Sequence, residues 1–121
     1  VISDRYADAT FAYQGAGRGF PVDKVDQVIA LATGGLKPDL TLFFDIPVAM
    51  AMTRMSVRDE TEAKANRMDA ETAEFYTRVR ESYLTIAKAE PERFVVVDAS
   101  RSIEEIHRVV SDIVEQLVAR N

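Results

Sequence analysis

The sequence predicts an α/β domain in which helices flank a parallel sheet. Three short apolar runs, at residues 1–3, 40–44 and 94–97, are β-branched or aromatic and lack polar alternation, which is typical of buried parallel strands. Helical patterns separate these runs, and this rhythm indicates a three-layer α/β domain. An aspartate follows each run, namely Asp4, Asp45 and Asp98. Because open α/β sheets bind ligands at the carboxyl ends of their strands, we expect these acids to mark one edge of one site, although aspartate also favours turns and caps.

Two helices are predicted in the first third of the chain. Asp8 is expected to cap a short helix that runs through Phe11 and Tyr13 and stops at Gly15. Pro21 suits the first turn of the second helix, which should end at the Gly34-Gly35 pair. Its apolar residues recur at helical spacing and are Val22, Val25, Val28 and Ile29.

Three further helices are predicted beyond Asp45. One begins at Pro47, a longer one runs from Asp69 to just before Pro91, and the last begins with a capping box formed by Ser102 and Glu105. The long helix carries an apolar stripe of Phe75, Val79, Tyr83 and Ile86. The stripe of the last helix should pack on the sheet and comprises Ile103, Ile106, Val110, Ile113, Val114 and Leu117.

Composition excludes several classes of function. The 121 residues suit one domain or part of one, and the net charge of −5 argues against a general nucleic-acid binder. The chain has no cysteine, one histidine (His107), no apolar run near the ~20 residues that span a bilayer, and no signal-peptide pattern. Disulfides and zinc sites therefore lack support, and a cytoplasmic location is expected. Since three strands make a thin sheet and the chain opens without Met, we expect an N-terminal portion to be missing.

Two neighbouring segments near the first predicted strand carry candidate binding residues. Arg5 offers a planar fork for a phosphate, and Asp4 could orient it or hold a hydrated cation; a structural Asp–Arg pair that closes a turn is equally compatible. Thr10, Tyr13 and Gln14 share a helix face and suit a planar polar ring and a sugar. From the residues alone, a packing role for Phe11 and Tyr13 is favoured. The glycine-rich stretch at 15–19 favours a flexible turn with Arg18 in solvent.

A charged stretch at 53–69 contains three arginines, Arg54, Arg58 and Arg67. It lacks an apolar stripe between Arg58 and Asn66, which indicates a mobile loop between two helices. A solvated charged loop is the common structural explanation. The functional alternative is a lid that brings arginine charge over a nucleotide.

Four stretches, taken in order, resemble thymidylate kinases of the bacterial kind. They are DRYADATFAYQGAGRG at 4–19, KPDLTLFFDIP at 37–47, NRMDAETAEFYTRVRESYL at 66–84 and FVVVDAS at 94–100. The resemblance spans essentially the whole chain and implies a P-loop nucleoside monophosphate kinase fold that transfers the γ-phosphoryl group of ATP to thymidine monophosphate, with Mg²⁺. It implies one partial domain, 1–121, with an acceptor-binding segment at 4–19, a lid at about 54–68 and a C-terminal strand and helix at 94–120. It also implies a homodimer to which Phe11 and the apolar side of residues 22–32 contribute.

The resemblance assigns a role to each candidate residue of the acceptor side. Arg5 would contact the acceptor phosphate, and Asp4 would serve the phosphate and magnesium network. Thr10 would hydrogen-bond the thymine, Tyr13 would lie beside the deoxyribose and disfavour a 2'-hydroxyl, and Gln14 would complete that wall. Ala9 stands where many relatives carry a serine, so one hydrogen bond to the base is absent or comes from Thr10.

The ATP side is assigned in the same way. Arg58 and Arg54 would be the lid arginines that approach the transferring group, with Arg58 as first choice. Arg58 and Arg67 would also bind ATP, and Arg67 would anchor the lid. Ala99 and Ser100, after the last strand, would lie near the adenine.

The sequence contains no GxxxxGK[ST] motif, which supplies the phosphate-binding amides, lysine and hydroxyl of a P-loop. We therefore expect this chain to be the C-terminal part of such an enzyme and to be inactive or nearly so by itself. Two alternatives stay open, a deoxynucleoside kinase of related fold and a non-catalytic half-domain kept for dimerisation.

Overall fold

The first helix of the protein changes its pitch after one turn. The computed structural model describes residues 1–58 and 70–120, and in it helix α1 spans Ala7–Thr10 and continues as a π-helix over Phe11–Gly17. The amide of Arg18 donates to the carbonyl of Tyr13, five residues earlier, at 3.0 Å, and so closes the wide turn. Residues 15–17 thus belong to the helix, and the prediction of a flexible turn there is wrong. The amide of Phe20 donates to the carbonyl of Gln14, six residues earlier, at 3.1 Å.

The predicted cap of this helix is also wrong. Tyr6 occupies the capping position without a side-chain cap, and Asp8 lies one residue inside the helix. Its carboxylate instead forms an ion pair with Arg93 at 2.9 Å. The Asp8 carboxylate therefore forms a long-range ion pair and does not cap the helix. The periodicity of the sequence does not reveal this pairing.

Helix α2 spans Val22–Thr33 and agrees with its prediction. Pro21 precedes it, and Gly34 ends it with φ 63°, a left-handed conformation that glycine adopts without strain. Val25 is the buried residue of this helix. Phe20, Val22, Val28 and Leu31 keep more than half of their surface exposed, so α2 presents an apolar face that the described chain leaves uncovered.

Two strands form a parallel sheet within the described residues. Strand β1 spans Thr41–Asp45 and β2 spans Phe94–Asp98, and they pair in register, with Thr41 opposite Phe94 and Asp45 opposite Asp98. Two of the three predicted strands are confirmed. Residues 1–3 do not form the third, because a strand needs a neighbour for its amides and carbonyls and the described chain supplies none. Val1 and Ile2 are fully exposed.

Helices α3 (Val48–Arg58), α4 (Ala70–Ala89) and α5 (Ile103–Arg120) match the predicted order. Residues 54–58 are helical, so the predicted mobile stretch is wrong for its first part, and residues 59–69 lie outside the described ranges. The predicted Ser102 cap is confirmed by the 3.2 Å bond from the Glu105 amide to Ser102 Oγ. The α5 stripe packs on the sheet only in part, since Ile103 is 82% exposed. Helix α5 rises about 1.5 Å per residue and is therefore longer than a strand of five residues, which extends about 17 Å. The sheet cannot cover the whole helix.

The core lies where α4 crosses the sheet and the π-helix. Val79, Phe94 and Val97 are buried there, together with Ala12. The rings of Phe43 and Tyr83 stack with centroids 4.5 Å apart, and Phe94 lies 6.1 Å from Phe43. Aromatic packing therefore fixes α4 on the face of the sheet, and its other end contacts the wide helix.

Candidate functional site

Arg5 and Tyr13 meet at the start of the first helix. The Arg5 guanidinium donates to the Tyr13 hydroxyl at 3.1 Å and lies 4.7 Å from the centre of the ring. Arg5 has φ 62°, a left-handed conformation that residues with a Cβ avoid and that concentrates at functional sites. Asp4 precedes it in the same exposed bend. An exposed guanidinium is thus held in one orientation beside a phenol.

The helix that follows presents polar side chains to solvent. Thr10 and Gln14 are exposed, whereas Ala12, Gly15 and Gly17 are buried against the rest of the protein. Tyr13 is half-buried and makes an edge-to-face contact with Phe75 of α4 at 5.9 Å. The predicted acceptor residues therefore lie on a helix whose opposite side is fixed by packing.

Arg78 and Gly17 hold this helix on α4, and the sequence analysis missed both. Arg78 donates two hydrogen bonds to the Gly17 carbonyl, the shorter at 2.9 Å. A Cβ on Gly17 would lie 2.7 Å from Phe75 and 3.0 Å from Val79. Only a residue without a side chain permits this approach. Arg18 is exposed as predicted, with its guanidinium 5.6 Å from the Phe75 ring.

The carboxyl edge of the sheet carries two aspartates side by side. Asp45 and Asp98 end their strands and lie opposite each other. Both oxygens of Asp45 accept hydrogen bonds from Arg80 of α4, at 2.7 and 3.0 Å, and this pairing raises the pKa of Arg80. Hydrogen bonds from Ser100 lower the pKa of Asp98. The sequence marked the acids but gave no sign of Arg80, whose partner lies 35 residues away.

Arg54 and Ala99, both assigned to the ATP side, lie together. The Arg54 guanidinium donates to the Ala99 carbonyl, with both nitrogens at 3.4 Å. The amide of Ser100 donates to Asp98 at 3.0 Å, which fixes the turn after β2. Arg58 ends α3, but its side chain, like the whole of Arg67, lies outside the described residues.

A charged cluster supports the opposite edge of the sheet. Arg93 pairs with Asp8 at 2.9 Å and with Glu90 at 2.7 Å, and Thr41 lies 3.3 Å from its guanidinium. The hydrogen bonds that Arg93 donates to the two carboxylates raise the pKa of Arg93, and Arg93 in turn lowers that of Glu90. Beside it opens a cavity of about 420 Å³ whose lining includes Asp8, Phe11 and Arg93. Of the predicted site residues that the structure describes, none lines this cavity.

The exposed bend at Asp4 and Arg5 offers a carboxylate of the kind that binds Mg²⁺. Mg²⁺ keeps several waters and binds through one or two carboxylates together with substrate phosphates. The exposed Asp4, adjacent to Arg5, provides such a group. Among the described residues no cluster of three or more acidic or histidine side chains is arranged to hold a metal ion. In the same part of the chain, every helix is too short or too polar to cross a bilayer.

These features define a partial α/β domain of the P-loop kinase class, with cationic side chains at the carboxyl side of its sheet. A family model described as thymidylate kinase matches residues 1–110. The chain is 42% identical to the thymidylate kinase of Neisseria gonorrhoeae over 115 residues, covering 95% of this chain and 54% of the relative. It is 44% identical to that of Cupriavidus metallidurans over 117 residues, covering 97% and 56%.

A solved structure supports the same assignment. The crystal structure of thymidylate kinase from Ehrlichia chaffeensis superposes with a TM-score of 0.63 at 29% identity and covers 93% of this chain and 47% of that one. The chain belongs to the thymidylate kinase family, and it spans about half the length of the curated relatives it matches.

Proposed function

We propose that the full-length protein containing this chain transfers the terminal phosphoryl group of ATP to thymidine monophosphate. The products are ADP and thymidine diphosphate, a precursor of dTTP. The observation that carries the proposal is the Arg5–Tyr13 pair at 3.1 Å, at the head of a helix that presents Thr10 and Gln14. An oriented guanidinium binds a phosphate, and the phenol, hydroxyl and amide beside it suit a deoxyribose and a base.

On the acceptor side, Arg5 binds the phosphate of the nucleotide. Thr10 hydrogen-bonds the thymine, while Tyr13 and Gln14 line the deoxyribose. The fixed packing of the helix on α4 supports this assignment, because positioning contributes a large share of catalysis in phosphoryl transfer. Asp4 would hold hydrated Mg²⁺, and the ion would supply charge neutralisation to the phosphates.

On the ATP side, Ala99 and Ser100 lie near the adenine, with Arg54 beside them. The contact between Arg54 and the Ala99 carbonyl supports a place for Arg54 at the adenine end. This leaves Arg58 as the first candidate for stabilising charge on the transferring group, with Arg67 anchoring the lid. Lid arginines contribute roughly 10³ to 10⁵ in rate when the phosphate is held in line.

The protein is further proposed to be a cytoplasmic homodimer in which the exposed apolar face of α2 packs against its counterpart. Leu31 is 88% exposed and Val28 62% exposed, on a helix that is otherwise well formed. Leu31→Glu should shift the full-length protein from dimer to monomer in sedimentation velocity. Gln27→Glu, an exposed change on the same helix, should leave the dimer intact.

The activity is tested by incubating the purified full-length protein with Mg²⁺, labelled ATP and either thymidine monophosphate or thymidine. Formation of thymidine diphosphate from the monophosphate alone is the expected result. Preference for thymidine would indicate a deoxynucleoside kinase instead. If neither compound accepts phosphate, the proposed function is wrong and a non-catalytic role is favoured.

A further inference from the structure

The carboxyl edge of the sheet places two acidic side chains where a polyphosphate is expected. Asp45 and Asp98 are register partners on adjacent strands, which lie about 4.8 Å apart in a sheet. Ligands of open α/β sheets bind outside this edge. Two uncompensated carboxylates there would repel a nucleoside triphosphate.

The two carboxylates are compensated in different ways. Asp98 is 55% exposed, and one of its oxygens lies 3.5 Å from the Arg101 guanidinium while the other is bonded to Ser100. Asp45 is only 15% exposed, and both of its oxygens are bonded to Arg80 in a two-pronged pairing. Planar pairing of this kind is the strongest way in which a side chain neutralises a carboxylate.

The same aspartate also holds the turn assigned to the ATP side. Its carbonyl accepts a hydrogen bond from the Ala99 amide at 2.9 Å, and the Ala99 carbonyl is bonded to Arg54. A continuous line of contacts thus runs from Arg80 on α4 through the ends of both strands to Arg54 on α3. The Arg80 side chain remains 37% exposed, and its guanidinium lies at the same edge because it is bonded to Asp45.

We infer that Arg80 is a positioning residue that neutralises Asp45 at the nucleotide edge, so that ATP can bind with its adenine near the turn at Ala99 without repulsion of its phosphates by this carboxylate. Arg80 does not itself bind the substrate in this role. The inference rests on the proposed function and adds a residue role to its ATP-binding part. The alternative is that Arg80 only braces α4 against β1, in which case the charge of Asp45 has no effect on ATP.

The test compares Arg80→Met, Asp45→Asn and the double variant in the full-length protein, with ATP affinity measured by calorimetry at 50 and 300 mM KCl. Arg80→Met should weaken ATP binding by about tenfold at low salt, because it leaves a carboxylate beside the phosphates. The loss should shrink at high salt, where exposed charges are screened. Asp45→Asn in the same chain should restore the affinity to within about threefold of the wild type, since it removes that carboxylate.

Two further variants separate charge from bracing. Arg80→Lys keeps the charge but loses the fork, and should bind ATP within about threefold of the wild type. Arg78→Met removes an arginine from the same helix whose partner is the Gly17 carbonyl, so Asp45→Asn should not improve it. These two variants keep the inference testable even if Arg80→Met fails to fold.

The inference is overturned if the double variant binds ATP as weakly as Arg80→Met, if Arg80→Lys is as weak as Arg80→Met, or if Arg80→Met binds ATP normally. An equal loss of thymidine monophosphate affinity would also overturn it, because that ligand lies on the Arg5 side. Calorimetry with ATP alone is independent of the acceptor. A protein that binds ATP as described but does not phosphorylate thymidine monophosphate would therefore refute the proposed function and leave the inference standing.

Discussion

The guanidinium of Arg5 is held against Tyr13 both by a hydrogen bond to its hydroxyl, at 3.1 Å, and by a position 4.7 Å from the centre of its ring. Together the two contacts restrict the long arginine side chain. Less conformational entropy is then lost when the arginine binds an anion, since the side chain is already ordered. The proposed phosphate contact and the proposed sugar contact are therefore physically coupled.

Arg5→Ala should weaken the binding of thymidine monophosphate by about 1.5–3 kcal/mol, the usual cost of losing a charged hydrogen bond. Calorimetry on the full-length protein measures this directly. Arg108→Ala, at an exposed position of α5, is the matched control and should change nothing. An unaltered acceptor affinity in Arg5→Ala would remove Arg5 from its proposed role.

Two substitutions of Tyr13 should have different effects. Tyr13→Ala should raise the turnover of ribothymidine monophosphate relative to that of the deoxynucleotide, because the bulk that disfavours a 2'-hydroxyl is lost. Tyr13→Phe keeps this bulk and loses only the bond to Arg5, so it should raise the KM for the acceptor several-fold, by about 1 kcal/mol, without changing the ratio. Steady-state kinetics with both nucleotides checks this. A constant ratio in Tyr13→Ala would contradict the sugar contact.

Arg58→Ala and Arg54→Ala should separate turnover from nucleotide affinity. We expect Arg58→Ala to lower kcat by about 10³ or more with little change in ATP affinity. Arg54→Ala should chiefly raise the KM for ATP, because its guanidinium lies on the Ala99 turn. A normal kcat in Arg58→Ala would shift the catalytic assignment to Arg54.

Gly17→Ala should destabilise the protein by about 1–3 kcal/mol, the usual cost of overpacking. The added Cβ would lie 2.7 Å from Phe75, so α4 and the π-helix must separate. Gly15→Ala is the matched control, because its Cβ would meet only Val25, at an ordinary 3.9 Å. Urea unfolding of the full-length variants measures both changes. Equal stabilities would show that the contact at Gly17 relaxes freely.

Alkaline pH should destabilise the protein through Tyr83. Burial raises the pKa of Tyr83 from 10.0 to about 12, so the folded state favours the neutral phenol. The resulting stabilisation is complete below pH 10 and is lost as the pH rises from about 10 to 12; it is smaller than the ~2.7 kcal/mol that two pKa units would give, because solvent screens the half-buried phenol. Unfolding free energies across this range should fall more steeply for the wild type than for Tyr83→Phe. Tyr76→Phe on the same helix is the control, and a wild-type slope in Tyr83→Phe would contradict the prediction.

Local patterns predicted the elements that depend on neighbours in sequence. The bounds of α2 followed from Pro21 and Gly34, and the start of α5 followed from the Ser102 capping box. The two confirmed strands and their terminal aspartates were recognisable from short apolar runs. Such features depend only on periodicity and turn chemistry, which are determined by residues close together in the sequence.

Features that depend on distant partners were not predictable. Asp8 pairs with Arg93, 85 residues away, and nothing near Asp8 distinguishes that role from a cap. The π-helix requires the approach of Gly17 to Phe75, 58 positions further along, and the bond from Arg78. The pairing of Arg80 with Asp45 depends in the same way on the packing of α4 against the sheet, since the two residues are 35 positions apart.

The wide turn at residues 11–17 makes the packing of this helix sensitive to the number of residues as well as to their identity. One residue of an α-helix corresponds to about 100° of rotation. Inserting a single alanine between Ala16 and Gly17 would swing Gly17 and every later residue of the helix around the axis. The register of Gly17 on α4 would then be lost even though no functional side chain had been altered. The number of residues in this turn is therefore as important for packing on α4 as the identity of its side chains.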